Sequence, residues 1–338
     1  MPVLRYDVTT NDWVIMAPER VRRLVEPERV IGAEGLPPGP EGLFPFCPRN
    51  EHRTTPDIHA VRPGGRATGP GWKVRVVPSK FPALRIEEDP SRQEEGPLFR
   101  SLGGCGAHEV IIESPAHNTF LGHQSIEQIE LVLRVLQARF NDLMRDARFQ
   151  MIVLFKNHGE GAGTSLRHPH WQLIATPVVP RQLRLRHAIA TDYFDRTGHC
   201  LYCVLLQEEL AAGKRVLAAN DSYAAVLPYA SHVPFETWII PKIHQSSFGR
   251  VEGARLRPLA ELLRTVLLKL HVGLDNPDFN LTVNTVPRGD EDREYFLWHI
   301  ALLPRLTTPA GFERGSGMSI NTVMPEDAAD ALRDVPIP

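Results

Sequence analysis

No stretch of this chain is apolar for long enough to cross a bilayer, which takes about 20 consecutive apolar residues in a helix. The N-terminus has no basic segment followed by an apolar one, so no leader is expected and the cytoplasm is the default location. An excess of one charge is also missing. Thirty-eight Lys and Arg stand against 40 Asp and Glu, a net charge of −2, so neither a nucleic-acid partner nor a membrane surface is expected. Cysteine is scarce: Cys47, Cys105, Cys200 and Cys203 are the four in 338 residues, and no disulfide scaffold is expected in a cytosolic chain of this length. Cys200-x-x-Cys203 reads as half a metal site, because no thioredoxin-like βαβ pattern surrounds it. What is abundant is proline (30) and glycine (25), which point to turns and short strands rather than long helices. The 42% hydrophobic content fits a folded chain, large enough for two ordinary domains or one large one.

Residues 4–18 read as a hairpin, followed at once by Arg20, Arg22 and Arg23. These arginines suit either a solvated basic turn or a phosphate held by forked donors. Residues 31–42 are a Gly/Pro loop, and 44–51 a compact knuckle around Cys47. Strands are expected at 72–77, 108–113 and 150–155, and 86–104 reads as an irregular acidic connection. Gly103-Gly104-Cys105-Gly106 is no nucleotide loop, since a strand and not a helix follows it. Residues 125–147 form the clearest helix: Ser125 is placed to cap it, and Ile126, Ile129, Val132, Leu133, Leu136, Phe140 and Leu143 fall at helical spacing. Residues 181–198, polar and rich in arginine, read as a bridge between halves. Beyond it come a short helix from Cys200, strands at 222–227, 236–240, 279–284 and 296–303, and a helix at 256–272.

The chemistry concentrates at Arg167-His168-Pro169-His170-Trp171-Gln172. In a strand alternate side chains share a face, so His168, His170 and Gln172 point one way and Trp171 the other. Upstream, Asn157 to Ser165 form a glycine-rich loop whose amides and hydroxyls can approach an anion. On these residues alone a reactive site competes with a metal-ligating or merely exposed histidine pair. The order of elements also repeats. Glu109–His117 matches Glu236–His244, Gln150–Leu154 matches Asn280–Asn284, and His168–Leu173 matches Leu297–Leu302. One α+β unit is duplicated, and only the first copy keeps His-x-His-x-Gln.

At His168-Pro169-His170-x-Gln172 the chain resembles the galactose-1-phosphate uridylyltransferase branch of the histidine-triad superfamily. The resemblance runs through Ala17–Arg23, the Cys47-Pro48-x-Asn50-Glu51 knuckle, Val76–Leu84, His108–Glu113, Val233–Ile239 and Ala310–Glu313. It implies an α+β fold of tandem duplicated histidine-triad-like domains, with antiparallel sheets and flanking helices. The first (1–190) would carry catalysis and the second (191–338) structure or substrate binding. It implies ping-pong nucleotidyl transfer with His170 as nucleophile, Gln172 contacting the transferred phosphoryl group, and Ser165, Gly163 and Thr164 in the phosphate cradle. Asn157 and Ser79 match nucleotide contacts, Arg20 and Arg23 a sugar-phosphate grip, and Glu313 a contact to sugar hydroxyls. A homodimer would complete each site from the partner subunit.

It further implies zinc, and here the chain departs from the family. Cys47, His117 and His168 remain of one four-ligand site, with Phe44 in place of the first cysteine; Cys200, Cys203 and His244 remain of the other, with Leu297 in place of a histidine. The second, anchored by two thiolates, is the stronger candidate. Thr164 stands where a cysteine is common, and Ser79 where an asparagine is. The leading expectation is UMP transfer between UDP-glucose and a hexose 1-phosphate. The alternatives are AMP transfer from ADP-glucose or adenylyl sulfate to inorganic phosphate, a non-catalytic nucleotide- or zinc-binding scaffold, and a hydrolase.

Overall fold

The Ser125 hydroxyl accepts a hydrogen bond from the Gln128 N–H (3.2 Å) and starts helix α1 (Ile126–Leu143). Ile129, Val132, Leu133, Leu136, Phe140 and Leu143 are buried, the face that the spacing predicts. The computed structural model describes residues 1–23, 44–64, 69–117, 119–164 and 166–338, at 21–23 the backbone alone. The first half contains the hairpin β1 (Val3–Asp7) and β2 (Asp12–Met16), then β3 (His59–Val61), β4 (Val74–Pro78), β5 (Arg92–Glu95), β6 (Phe99–Leu102), β7 (Ala107–Ile112), α1, β8 (Met151–His158) and β9 (His170–Thr176). The second half contains α2 (Arg181–Thr197), α3 (Leu201–Ala212), β10 (Val216–Ala219), β11 (Tyr223–Val226), β12 (Thr237–Pro241), α4 (Gly253–Gly273), β13 (Phe279–Asn284) and β14 (His299–Pro304). It closes with α5 (Gly311–Ser316), β15 (Ile320–Asn321) and α6 (Pro325–Arg333).

Ten strands form one antiparallel sheet in the order β10-β11-β12-β14-β13-β8-β9-β7-β4-β3. Read outward from the β8–β13 seam, the two halves have the same strand order, the expected α+β duplication. Residue 190, where the sequence reading divides the chain, lies inside α2. The repeat is in one place out of register. With His170 equivalent to His299, Leu154 (opposite Leu173) corresponds to Leu281 (opposite Leu302), three residues from the match read in the sequence. Short apolar strands leave register weakly specified when polar alternation is missing.

The sheet has two unlike faces. On one, Trp171, Leu173, Leu154, Leu281 and Ile300 pack with α1 and α4 in a single core that spans both halves. On the other, α2 and α3 cover the second half through Ile189, Ala190, Tyr202 and Leu206 against Ala224, Trp238 and Ala301. The first half of that face carries His170 and Gln172, flanked by the smaller cluster Phe46, Trp72, Val77, Val110 and Ile112. β1, β2 and β15 form a separate three-stranded sheet. Among the described residues no helix is long and apolar enough to cross a membrane.

Two expectations change. Residues 181–198 are helix α2, not a polar bridge: His187, Ile189 and Ala190 are buried, Tyr193 and Phe194 half-buried, and Gly198 ends the helix in the left-handed region at φ 72°. Residues 86–104 contain the β5–β6 hairpin, exposed on both strands apart from half-buried Leu102, so no apolar alternation announces it.

The Lys269 ammonium donates to the carbonyls of Leu332 (3.1 Å), Arg333 (2.7 Å) and Val335 (3.0 Å), tying α4 to the end of α6. Lys269→Met leaves these three acceptors without their charged donor. It is expected to cost about 2 kcal/mol of stability, measured by denaturant unfolding; an unchanged midpoint would refute the role.

Candidate active site

β9 alternates as expected. Trp171, Leu173 and Ala175 are fully buried in the core, while His170 and Gln172 face the other way. His168 lies two residues before the strand and is buried as well. The carbonyl of His168 sits 2.8 Å from His170 Nδ1. A carbonyl only accepts, so Nδ1 carries the ring proton and Nε2 keeps the lone pair. Burial lowers the His170 pKa to about 4, with the Lys156 charge acting the same way and the His168 carbonyl opposing. The ring is thus neutral near pH 7, a nucleophile that needs no deprotonation.

Beneath the strand, the Lys156 ammonium donates to Glu113 Oε2 (2.9 Å) and to the His170 carbonyl (3.3 Å). Both side chains of this ion pair are essentially inaccessible to water. On the upper face, Gln172 Oε1 lies 3.0 Å from His108 Nε2, whose ring is carried by the neighbouring strand β7. Ser79 donates its backbone N–H to the His108 carbonyl (2.8 Å), so it stands close by. β8 places Phe155 opposite Gln172, and continuing that register brings Asn157 beside His170.

The glycine loop follows Asn157. Gly159 has φ 83°, and a Cβ there would lie 1.6 Å from Asp278 Oδ1, so only glycine fits. Asp278 accepts the Gly161 N–H at 2.6 Å, and Thr164 donates its hydroxyl to the Asn157 carbonyl at 2.8 Å. Gly163, at φ 86°, turns the chain back toward the histidine strand. Asn280 of β13 donates to Asn157 Oδ1 (2.8 Å) and to the Ala162 carbonyl (2.9 Å). Ser165 lies outside the described residues. The sequence reading assigned no role to His108, Lys156, Asp278 or Asn280. His108 and Asn280 act from strands remote in sequence, Asp278 from the residue before β13 and Lys156 from the core face of β8, and no local spacing signals them.

Arg20 and Glu313 are elsewhere. Arg20 is exposed in a short 3-10 turn after β2, and the side chain of Arg23 lies outside the described residues. The Glu313 carboxylate accepts the N–H groups of Ala310 (2.8 Å) and Ile320 (3.3 Å), beside the three-stranded sheet.

Among the described residues two groups can hold a metal ion. In the first, Cys47 Sγ lies 3.3 Å from His117 Nδ1 and 3.8 Å from His168 Nδ1, with the two nitrogens 3.3 Å apart. His168 Nε2 is 2.7 Å from the Ser114 carbonyl, which accepts its N–H and so leaves the Nδ1 lone pair facing the cluster. Donors this close suit a cation between them. Phe44 stacks on His117 (centroids 4.2 Å, 28°) and offers no ligand. In the second, the ligand atoms of Cys200, Cys203 and His244 lie within 4.8 Å of one another. A hydrogen bond from Cys203 draws the pKa of the Cys200 thiol down to about 5, and hydrogen bonding to Cys200, with its charge acting the same way, raises both Cys203 and His244. Thiolate and imidazole suit zinc. Leu297 is buried in the apolar cluster instead of ligating.

The second copy of the motif cannot react. His299 is fully buried between Trp238 (4.7 Å) and Tyr202 (5.1 Å), although its Nδ1 faces the Leu297 carbonyl as His170 faces that of His168.

The family model described as galactose-1-phosphate uridyl transferase, N-terminal domain, matches residues 1–180. An ADP-glucose phosphorylase of Arabidopsis thaliana is 35% identical over 99% of this chain and 93% of its own length. A galactose-1-phosphate uridylyltransferase of Thermotoga maritima is 25% identical over 100% of this chain and 99% of its own. A crystal structure of an Arabidopsis thaliana ADP-glucose phosphorylase with bound ADP-glucose superposes with a TM-score of 0.84, at 32% identity and over 100% of both chains.

Proposed function

The chain belongs to the galactose-1-phosphate uridylyltransferase family and is a nucleotidyltransferase, and on that premise we propose that it moves AMP from ADP-glucose to inorganic phosphate through a covalent intermediate on His170. The observation that carries the choice of nucleotide is the stronger likeness, in sequence and in fold, to the ADP-glucose phosphorylase. This puts AMP ahead of UMP, the reverse of the order expected from the sequence; Thr164 and Ser79 depart from the uridylyltransferase pattern without selecting a base. UMP transfer between UDP-glucose and a hexose 1-phosphate is the second reading, favoured by the relatives named for it.

In the first step the His170 Nε2 lone pair attacks the α-phosphorus. The bond from that phosphorus to the bridging oxygen breaks, and glucose 1-phosphate leaves. Nδ1 keeps its proton throughout, and the His168 carbonyl stabilises the positive charge that develops on the ring. In the second step a phosphate oxygen attacks the same phosphorus, the N–P bond breaks, and ADP departs. No proton has to move within the enzyme. Gln172 and Asn157 serve as neutral donors to the phosphoryl oxygens, and Ser165, Thr164 and Gly163 as the cradle. Arg20, Arg23 and Glu313 serve the sugar phosphate in a site completed by a second copy of the chain.

Incubation with ADP-glucose, UDP-glucose and adenylyl sulfate, each radiolabelled in the nucleotide, tests the assignment. Acid-labile label on the protein is expected from ADP-glucose and is released by phosphate as ADP. Label from UDP-glucose alone rejects the adenylyl assignment, and label from adenylyl sulfate alone rejects ADP-glucose as donor.

Cys200, Cys203 and His244 would hold a zinc ion, and Cys47, His117 and His168 would offer a second such site. Cys200→Ser is expected to lower the metal content of the purified protein by about one equivalent, since a structural zinc rarely survives on two protein ligands. Metal content identical in wild type and variant would refute the second site.

A further inference from the structure

A carboxamide has opposite ends: its oxygen repels a phosphoryl oxygen and its –NH₂ attracts one. Two carboxamides, Gln172 and Asn157, project beside His170, and their neighbours leave each a single orientation. The backbone N–H of Ala83 donates to His108 Nδ1 (3.2 Å), so that nitrogen holds the lone pair and the neutral ring carries its proton on Nε2. His108 Nε2 therefore donates to Gln172 Oε1 (3.0 Å), and the Gln172 –NH₂ is the end left for a ligand.

The second relay starts at Arg305, whose guanidinium has only donors. Its Nε lies 2.6 Å from Asn280 Oδ1, which fixes that amide. Asn280 Nδ2 then donates to the Ala162 carbonyl (2.9 Å) and to Asn157 Oδ1 (2.8 Å). The Ala162 carbonyl can only accept, so it independently excludes a flipped Asn280. Asn157 is directly opposite Asn280 in the β8–β13 ladder, and its –NH₂ is the free end.

We propose that His108 and Asn280 are positioning residues that lock Gln172 and Asn157 with their –NH₂ ends presented to the phosphoryl group on His170. The assignment of a phosphoryl ligand rests on the nucleotidyl-transfer reading. Preset donors stabilise charge as it develops without reorganising at the moment of reaction. The proposal also gives the duplicated half a part in the reaction: its own histidine is buried, but its strand β13 supplies Asn280, and Arg305 follows β14.

Two measurements test it. The first uses the wild type without ligand: the ¹⁵N imidazole spectrum is expected to show His108 as the Nε2–H tautomer. An Nδ1–H tautomer overturns the proposal whether or not the protein transfers a nucleotide. The second is a pair of double-mutant cycles read by the rate of labelling from ADP-glucose. Asn280→Asp keeps the shape and loses the donor, and should slow labelling by about 10²-fold with little change in donor affinity. In an Asn157→Ala background it should have little further effect, and His108→Phe should likewise be nearly silent in Gln172→Ala. Equal effects in both backgrounds would show a general structural role and sink the proposal. Wild type that takes no label from any nucleotide sugar rejects the proposed function instead, and the tautomer then decides the polarity alone.

Discussion

Replacement of His170 by alanine is expected to abolish acid-labile labelling and to lower turnover by about 10⁴-fold or more, because no other group replaces a covalent nucleophile. The argument is geometric. Nδ1 is engaged by the His168 carbonyl, burial keeps the ring neutral, and Nε2 is left with its lone pair on the face that α2 and α3 do not cover. The side chain bonds only to its own turn, so the variant should fold, and its melting temperature serves as the control. His299 supplies the contrast. It is the same residue type in the equivalent turn, yet it is sealed between Trp238 and Tyr202. His299→Ala should leave labelling intact while costing about 2–4 kcal/mol of stability through the cavity it leaves. If His170→Ala labels as well as wild type, the covalent mechanism is wrong.

The second large effect is on stability. Lys156→Met is expected to destabilise the fold by about 3–5 kcal/mol, since it leaves the Glu113 carboxylate buried without its partner. The exposure of the two side chains is 2% and 0%, so water cannot compensate. Among the described residues Glu113 Oε1 has no hydrogen-bond partner, which leaves Oε2 and Lys156 to satisfy that charge. Adding Glu113→Gln removes the orphaned charge and should restore most of the loss. Urea unfolding of the two single variants and the double variant measures this. Additive losses in the double variant would mean that the pair is not coupled. Because Lys156 also donates to the His170 carbonyl, the single variant should lose labelling rate as well.

Much of the fold was legible in the chain because its signals are local. Ser125 and the apolar spacing after it define α1 within two turns. The alternation from His170 to Ala175 separates a core face from a reactive face. Helix α2 was missed because its arginines masked a half-buried apolar stripe, and the β5–β6 hairpin because exposed strands carry no pattern. The repeat was visible, but its register in β8 and β13 was not. That register depends on which strands pair, and neither strand encodes it alone.

The site divides along the same line. By itself the sequence determined the reactive types and their spacing: His168, His170 and Gln172 in alternation, a glycine loop before them, and the Cys200-x-x-Cys203 pair. Those are properties of neighbouring residues. Only the tertiary structure decided which ring nitrogen of His170 keeps its lone pair, which of the two equivalent histidines is sealed between aromatic rings, and which end of each carboxamide is free. These depend on partners far away in sequence: His108 lies 64 residues from Gln172, and Asn280 lies 123 from Asn157. A hydrogen bond has a direction set by both of its groups, so its polarity exists only once the fold has brought them together.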